Sequence, residues 1–198
     1  MRLTFKLILI IVTISIISSL SVMSFFIYNI IEQNKTTIAN TDRILRDNYD
    51  FVIRTQVEVA VSMLNQINKM KEAGAFTEDE AKKLGADLLR ELRYNKEGYF
   101  WADTEKGVNV VLYGTKTEGT NRINFQDTKG KYIIQDIIAA AKQPGGGFTD
   151  YWFPKLGQTE ALLKRGYSLF FEPFGWSVGT GNYIDDIDEK VAVEKQLL

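Results

Sequence analysis

The chain of 198 residues contains no cysteine and no histidine. Without Cys there is no disulfide, no thiolate nucleophile and no thiolate zinc site, so cysteine usage says nothing of the redox compartment. Without His the commonest general base and the commonest metal ligand are both missing, and a Ser-His-Asp triad is excluded. Only carboxylates, Lys, Tyr and Ser remain for chemistry. An excess of positive charge is lacking too. The formal net charge is -1, and no basic stripe marks a nucleic-acid partner. No cofactor motif is present. Pro144-Gly145-Gly146-Gly147 is not followed by the Lys-Ser/Thr and helix of a phosphate loop, so it reads as a turn.

One segment lacks charge altogether. Leu7 to Ile31 carries no charged residue, which exceeds the ~20 residues that cross a hydrocarbon core as a helix. A cleaved signal peptide would have a shorter apolar core and a small-residue cleavage site, and Ser24-Phe25-Phe26 supplies neither. Arg2 and Lys6 precede the segment and Glu32 follows it. The positive-inside tendency therefore places residues 1–6 in the cytoplasm, 7–31 across the membrane and the rest outside.

From Glu32 to Ala73 there is neither Pro nor Gly. Ile38, Leu45, Val52 and Val59 recur every seven residues, and Met63, Ile67 and Met70 carry the stripe onward. The spacing predicts a long amphipathic helix whose stripe either packs on its own domain or forms the seam of a homodimer. Gly74 is a C-cap, and Thr77 with Glu80 forms a capping box opening a second helix to about Arg93. The cluster Glu78-Asp79-Glu80 reads as helix-start charge rather than a metal site. After Gly98 the period changes to two. Strands are expected at 98–103, 108–113, 148–153, 162–171 and 176–181, with a helix at 131–142 and a last one from Asp185 to Leu198. This order predicts an α+β fold, with an antiparallel sheet of about five strands and its helices segregated to one side.

Five stretches occur in order: Gly98-Tyr99-Phe100-Trp101, Asp150-Tyr151-Trp152-Phe153-Pro154-Lys155, Lys164-Arg165-Gly166-Tyr167-Ser168, Pro173-Phe174-Gly175-Trp176-Ser177-Val178-Gly179-Thr180-Gly181 and Tyr183-Ile184-Asp185-Asp186-Ile187. Together they resemble the single Cache sensor domain of the second type, found in methyl-accepting chemotaxis receptors and in some histidine kinases. The resemblance covers about Asn34 to Asp188. It implies a PAS-like fold outside the cell membrane, with no enzymatic activity and small carboxylates such as acetate, propionate, pyruvate or lactate as ligands. Many members carry His-Pro at the end of the second strand; this chain has Tyr113-Gly114. No second membrane helix or signalling part follows, so the sequence reads as a shortened receptor or a stand-alone remnant. Residues 32–188 are then the sensor domain, and 189–198 a helix returning toward the membrane.

Strand alternation places Tyr99 with Trp101, Tyr151 with Phe153, and Lys164 with Gly166 and Ser168. The candidate ligand-binding set is Tyr99, Trp101, Tyr113, Arg122, Tyr151, Lys155, Lys164 and Tyr167. In it a cation, Lys164 before Lys155 and Arg122, would pair with a carboxylate while tyrosine hydroxyls complete the shell. The competing reading is a membrane-anchored hydrolase using Asp103, Asp127 or Asp150.

Overall fold

The computed structural model describes residues 3–95 and 98–196. Arg2, on which part of the orientation argument rests, lies outside the described residues, as do Leu197 and Leu198. The chain divides into two compact units, one of residues 1–44 with 191–198 and one of residues 45–190.

Helix α1 (Leu3–Glu72) contributes to both units. It is uninterrupted because no Pro or Gly occurs before Gly74. In the first unit its apolar side chains are exposed, Phe25 at 65 % and Leu20 at 58 %. Among the described residues, this is the one helix long and apolar enough to cross a membrane. In the second unit α1 buries Ile53, Val57, Ala60, Leu64 and Ile67, an i, i+4, i+7 stripe. That stripe is not the heptad set. Val52 is half-buried against the core, while Val59 is 59 % exposed. The helix closes in a Schellman motif: Ala75 N–H donates to Met70 O and Gly74 N–H to Lys71 O, with Gly74 at φ 81.

Helix α2 (Glu78–Glu91) begins with the expected capping box, in which Thr77 accepts from Glu80 N–H and the Glu80 carboxylate accepts from Thr77 N–H. Glu78, Asp79 and Glu80 all lie in the first turn of this helix, where carboxylates favour the helix start. The strands are β1 (Arg93–Tyr94), β2 (Gly98–Thr104), β3 (Asn109–Leu112), β4 (Gly147–Pro154), β5 (Ala161–Phe171) and β6 (Trp176–Tyr183). All pairings are antiparallel, in the order β1-β2-β6-β5-β4, with β3 also on β2. The five expected strands are present; the two-residue β1 is additional. Helix α3 (Ile133–Ala141) lies between β3 and β4 in the chain, and α4 (Ile184–Gln196) follows β6.

The helices are not all on one side. Phe100, Ala102, Tyr167, Trp176 and Val178 pack with α1 and α2. Tyr99, Trp101, Leu112 and Tyr151 pack with Ile133, Ile134, Ile137 and Ile138 of α3. The physical reason is visible in β2, whose residues from Tyr99 to Asp103 are all buried. A strand with large side chains on both faces needs cover on both.

Candidate functional site

The α3 face of the sheet carries the cavity, and alternation decides which residues reach it. Cross-strand register sets Tyr151, Lys164 and Tyr183 in one row and Trp101, Gly179 and Ser168 in another. Glycines on this face let the indole lie flat. A Cβ at Gly179 would come within 2.6 Å of Trp101, and one at Gly166 within 3.0 Å. Above the aromatic floor the cavity is roofed by Ile133, Ile134 and Ile137. Tyr99, Trp101, Arg122, Tyr151 and Lys164 all line it, with Leu112, Phe125 and Phe153. The centre of a water molecule can reach about 20 Å³ of it, room for about one water molecule by that measure. An outer cleft of about 660 Å³ on the same measure shares Leu112, Arg122, Phe125 and Phe153 with it.

Lys164 is fully buried, at 0 % exposure. Its Nζ donates to the Tyr99 hydroxyl at 2.8 Å. It also lies 4.2 Å from the Tyr99 ring centre, 5.0 Å from those of Trp101 and Tyr183, and 5.9 Å from that of Phe153. Ring faces attract a cation, but they do not replace a counterion. No carboxylate among the described residues forms an ion pair with Lys164, whereas Lys155, Arg122 and Arg165 each hold one or two. Two further buried donors on cavity-lining residues have no partner, Trp101 Nε1 and Arg122 Nε. The site therefore holds spare N–H groups and a cation in an otherwise apolar shell, an arrangement that fits a small anion.

Arg122 is held from behind. Its Nη2 donates to both oxygens of Asp103, at 2.7 and 2.9 Å, and Asp103 is 0 % exposed. Asp103 follows Tyr99 and Trp101 onto this face by alternation on β2, and it also accepts from Asn109 Nδ2 at 3.0 Å. Burial raises its carboxyl pKa, and Arg122 and Asn109 oppose that shift. Burial likewise pushes the Tyr151 hydroxyl well above the usual tyrosine value, so it stays a neutral donor or acceptor at any physiological pH.

Three residues of the candidate set lie elsewhere. Lys155 forms ion pairs with Asp185 and Asp186 at 2.8 and 2.7 Å, tying the end of β4 to the start of α4. Tyr167 is on the opposite face, packed with the α1 and α2 cluster, and its hydroxyl donates to Gly145 O. Odd and even positions of β5 face opposite ways, so it cannot share the face of Lys164. Tyr113 does not line the cavity. It takes φ 56 just beyond β3, sits edge-on to Tyr99 and stacks beneath Arg93. Residues outside the candidate set complete the lining. Phe153 was implied by its alternation with Tyr151; Phe125 sits in an irregular loop and carried no periodic signal.

The hydrolase carboxylates are not a pair. Asp103 is on the cavity face, while Asp150 binds Arg165 across β4 and β5 on the other. Asp127 accepts N–H bonds from Lys129, Lys131 and Trp152 and organises a loop.

A sheet clamped between helices, with a small aromatic cavity lined by a buried cation that no carboxylate among the described residues pairs, defines a PAS-like small-ligand sensor domain. The model of the Single Cache domain 2 family matches residues 45–196, and the chain belongs to that family. A methyl-accepting chemotaxis protein of Pseudomonas putida is 28 % identical over 141 residues, covering 70 % of this chain and 26 % of that protein. A sensor histidine kinase of Rhizobium johnstonii is 28 % identical over 173 residues, covering 87 % of this chain and 37 % of the kinase. The chain thus spans well under half of either relative. Among solved structures, the periplasmic sensor domain of a chemotaxis protein is similar at TM-score 0.68 and 29 % identity, over 72 % of this chain and 99 % of that one. A Cache chemosensory domain described for carboxylic acid recognition is similar at TM-score 0.65 and 27 % identity, over 72 % and 95 %.

Proposed function

We propose that this chain is the extracytoplasmic sensor region of a chemoreceptor and that its cavity binds a short-chain carboxylate. The observation that carries this reading is Lys164, a buried cation with no carboxylate partner on a cavity whose lining also holds the orphan donors Trp101 Nε1 and Arg122 Nε. An unpaired buried charge is costly, and a ligand carboxylate removes that cost. The similarity to a domain described for carboxylic acid recognition supports the same ligand class. The small cavity favours acids of two or three carbons, and admitting even these requires Phe125 or Phe153, shared with the outer cleft, to swing outward. The kinase relative makes the sensor region of a histidine kinase the second reading, over the same site. Sensing, not catalysis, is the role in either case.

Leu7–Ile31 spans the membrane in this proposal, with residues 1–6 inside, 32–188 outside and 189–198 leading back toward the bilayer. The protein works as a homodimer through the outer side of α1.

The test is calorimetric titration of the chain in lipid nanodiscs with acetate, propionate, pyruvate and lactate, set against small amines and amino acids. A carboxylate should bind best, and Lys164→Met should weaken it about tenfold to a hundredfold, since hydrogen bonds to a charged group are worth about 1.5–3 kcal/mol. A neutral or cationic best ligand, or an unchanged affinity in Lys164→Met, would overturn the assignment.

A further inference from the structure

Among the residues lining the cavity, Lys164 and Arg122 are the charged ones, and both are cations. Directly behind Arg122, outside the lining, is Asp103, bound through both of its oxygens to one guanidinium nitrogen. The pair is well shielded from water: the Arg122 side chain is 11 % exposed and Asp103 fully buried. Two cations and one carboxylate leave the cluster with a single positive charge. Building on the carboxylate reading above, we propose that Asp103 determines which anions the cavity accepts: by balancing Arg122 it leaves one charge to be neutralised, so that a monoanion is admitted and a dianion rejected.

The reasoning is electrostatic. A monocarboxylate on Lys164 brings the buried cluster to neutrality. A dicarboxylate brings one negative charge more than the cluster can balance, in a cavity with room for about one water molecule, where an uncompensated charge is strongly disfavoured. Asp103 touches no ligand and acts through Arg122 as a positioning residue as well. Its place on β2, opposite Ser177, and the bond from Asn109 fix the carboxylate. It occupies Nη2 and leaves Arg122 Nε without a partner. The Asp103 side chain thus controls both the charge and the orientation of the guanidinium.

The experiment compares propionate with malonate, three-carbon acids of one and two charges at pH 7, in the full chain in nanodiscs. Wild type should bind propionate at least about tenfold more tightly than malonate, the scale of one unbalanced charge at an effective dielectric near 20. Asp103→Asn keeps the shape and removes the charge, and should lower that ratio about tenfold or more. Asp103→Asn/Arg122→Gln returns the cluster to one positive charge and should restore the ratio, a rescue that a merely structural role for Asp103 would not produce. An unchanged ratio in Asp103→Asn, or a wild type that prefers malonate, overturns the proposal. Should Asp103→Asn fail to fold, wild type decides with malonamate, the uncharged-amide analogue of malonate. Tighter binding of malonamate supports charge selection. Equal or absent binding of both makes the exclusion one of size and overturns it. Failure of propionate itself to bind wild type would instead refute the carboxylate reading.

Discussion

Gly179 is a position where one added methyl should disturb the fold and the cavity together. It lies mid-strand in β6, paired with Trp101 on one side and Ser168 on the other. An added Cβ would stand 2.6 Å from Trp101 Cε2 and Cζ2 and 2.6 Å from Ser168 Oγ. Neither flanking strand can retreat, since β2 and β5 are each paired on both edges. The indole must therefore lift toward α3, into a space where the centre of a water molecule reaches only about 20 Å³. Overpacking of this kind costs about 1–3 kcal/mol, and the reduced freedom of the unfolded chain returns about 0.4–1 kcal/mol. The expected net loss for Gly179→Ala is about 1–2 kcal/mol by chemical denaturation. Propionate binding should fall much further, because the displaced ring occupies the ligand's volume. A Gly179→Ala protein of wild-type stability and wild-type affinity would refute the picture of a ring laid flat on a glycine floor.

Glu118 should impose a pH dependence on the loop after β3. Burial alone would raise its pKa, but the N–H groups of Leu112 and Gly114 and the Arg90 guanidinium more than offset this and lower it. A lowered folded pKa contributes stability that is complete above the ordinary Glu value and lost as pH falls through the folded value. Glu118→Gln should cost about 1–3 kcal/mol at neutral pH and flatten the stability curve below pH 5, whereas an acid limb identical to wild type would exclude that role. Topology is read by a cysteine at exposed Lys116, which a membrane-impermeant maleimide should label in intact cells; labelling only after permeabilisation would reverse the orientation. For the dimer, Val59→Cys, at an exposed position on α1, should crosslink in membranes, and its failure together with that of neighbouring single-cysteine positions would argue for a monomer.

Much of this fold is legible in the sequence because its signals are local. The capping box at Thr77 and Glu80, the C-cap at Gly74 and the glycine-marked turns are each decided within a few residues, and all occur where expected. The choice of sheet face is less local. That α3 covers a second face follows only once β2 is seen to carry large side chains in both directions, Tyr99 and Trp101 one way and Phe100 the other. The heptad positions of α1 show the same limit. Intervals of seven and the i, i+4, i+7 stripe both run through this helix, and only packing shows that Ile53, Val57 and Leu64 are the buried set.

The site shows where period-two reasoning succeeds and where it ends. Applied strictly, alternation on β5 puts Lys164, Gly166 and Ser168 on one face and excludes Tyr167, so the aromatic motif around Tyr167 points to core, not pocket. It also pairs Phe153 with Tyr151, as observed. Arg122 and Phe125 lie beyond its reach, because a loop has no period. What fixes that loop is a set of long-range bonds: Arg122 N–H to Gly107 O, Asn121 to Lys106 O, and the Arg122 pair with Asp103. Each anchors it to β2, β3 or their connecting turn. Asp103, alone in a strand, reads equally well as a catalytic carboxylate or a structural one. Its partners decide: a buried carboxylate that pairs with a guanidinium and accepts from Asn109 is a counterion, and its effect on a ligand is felt through the charge it cancels.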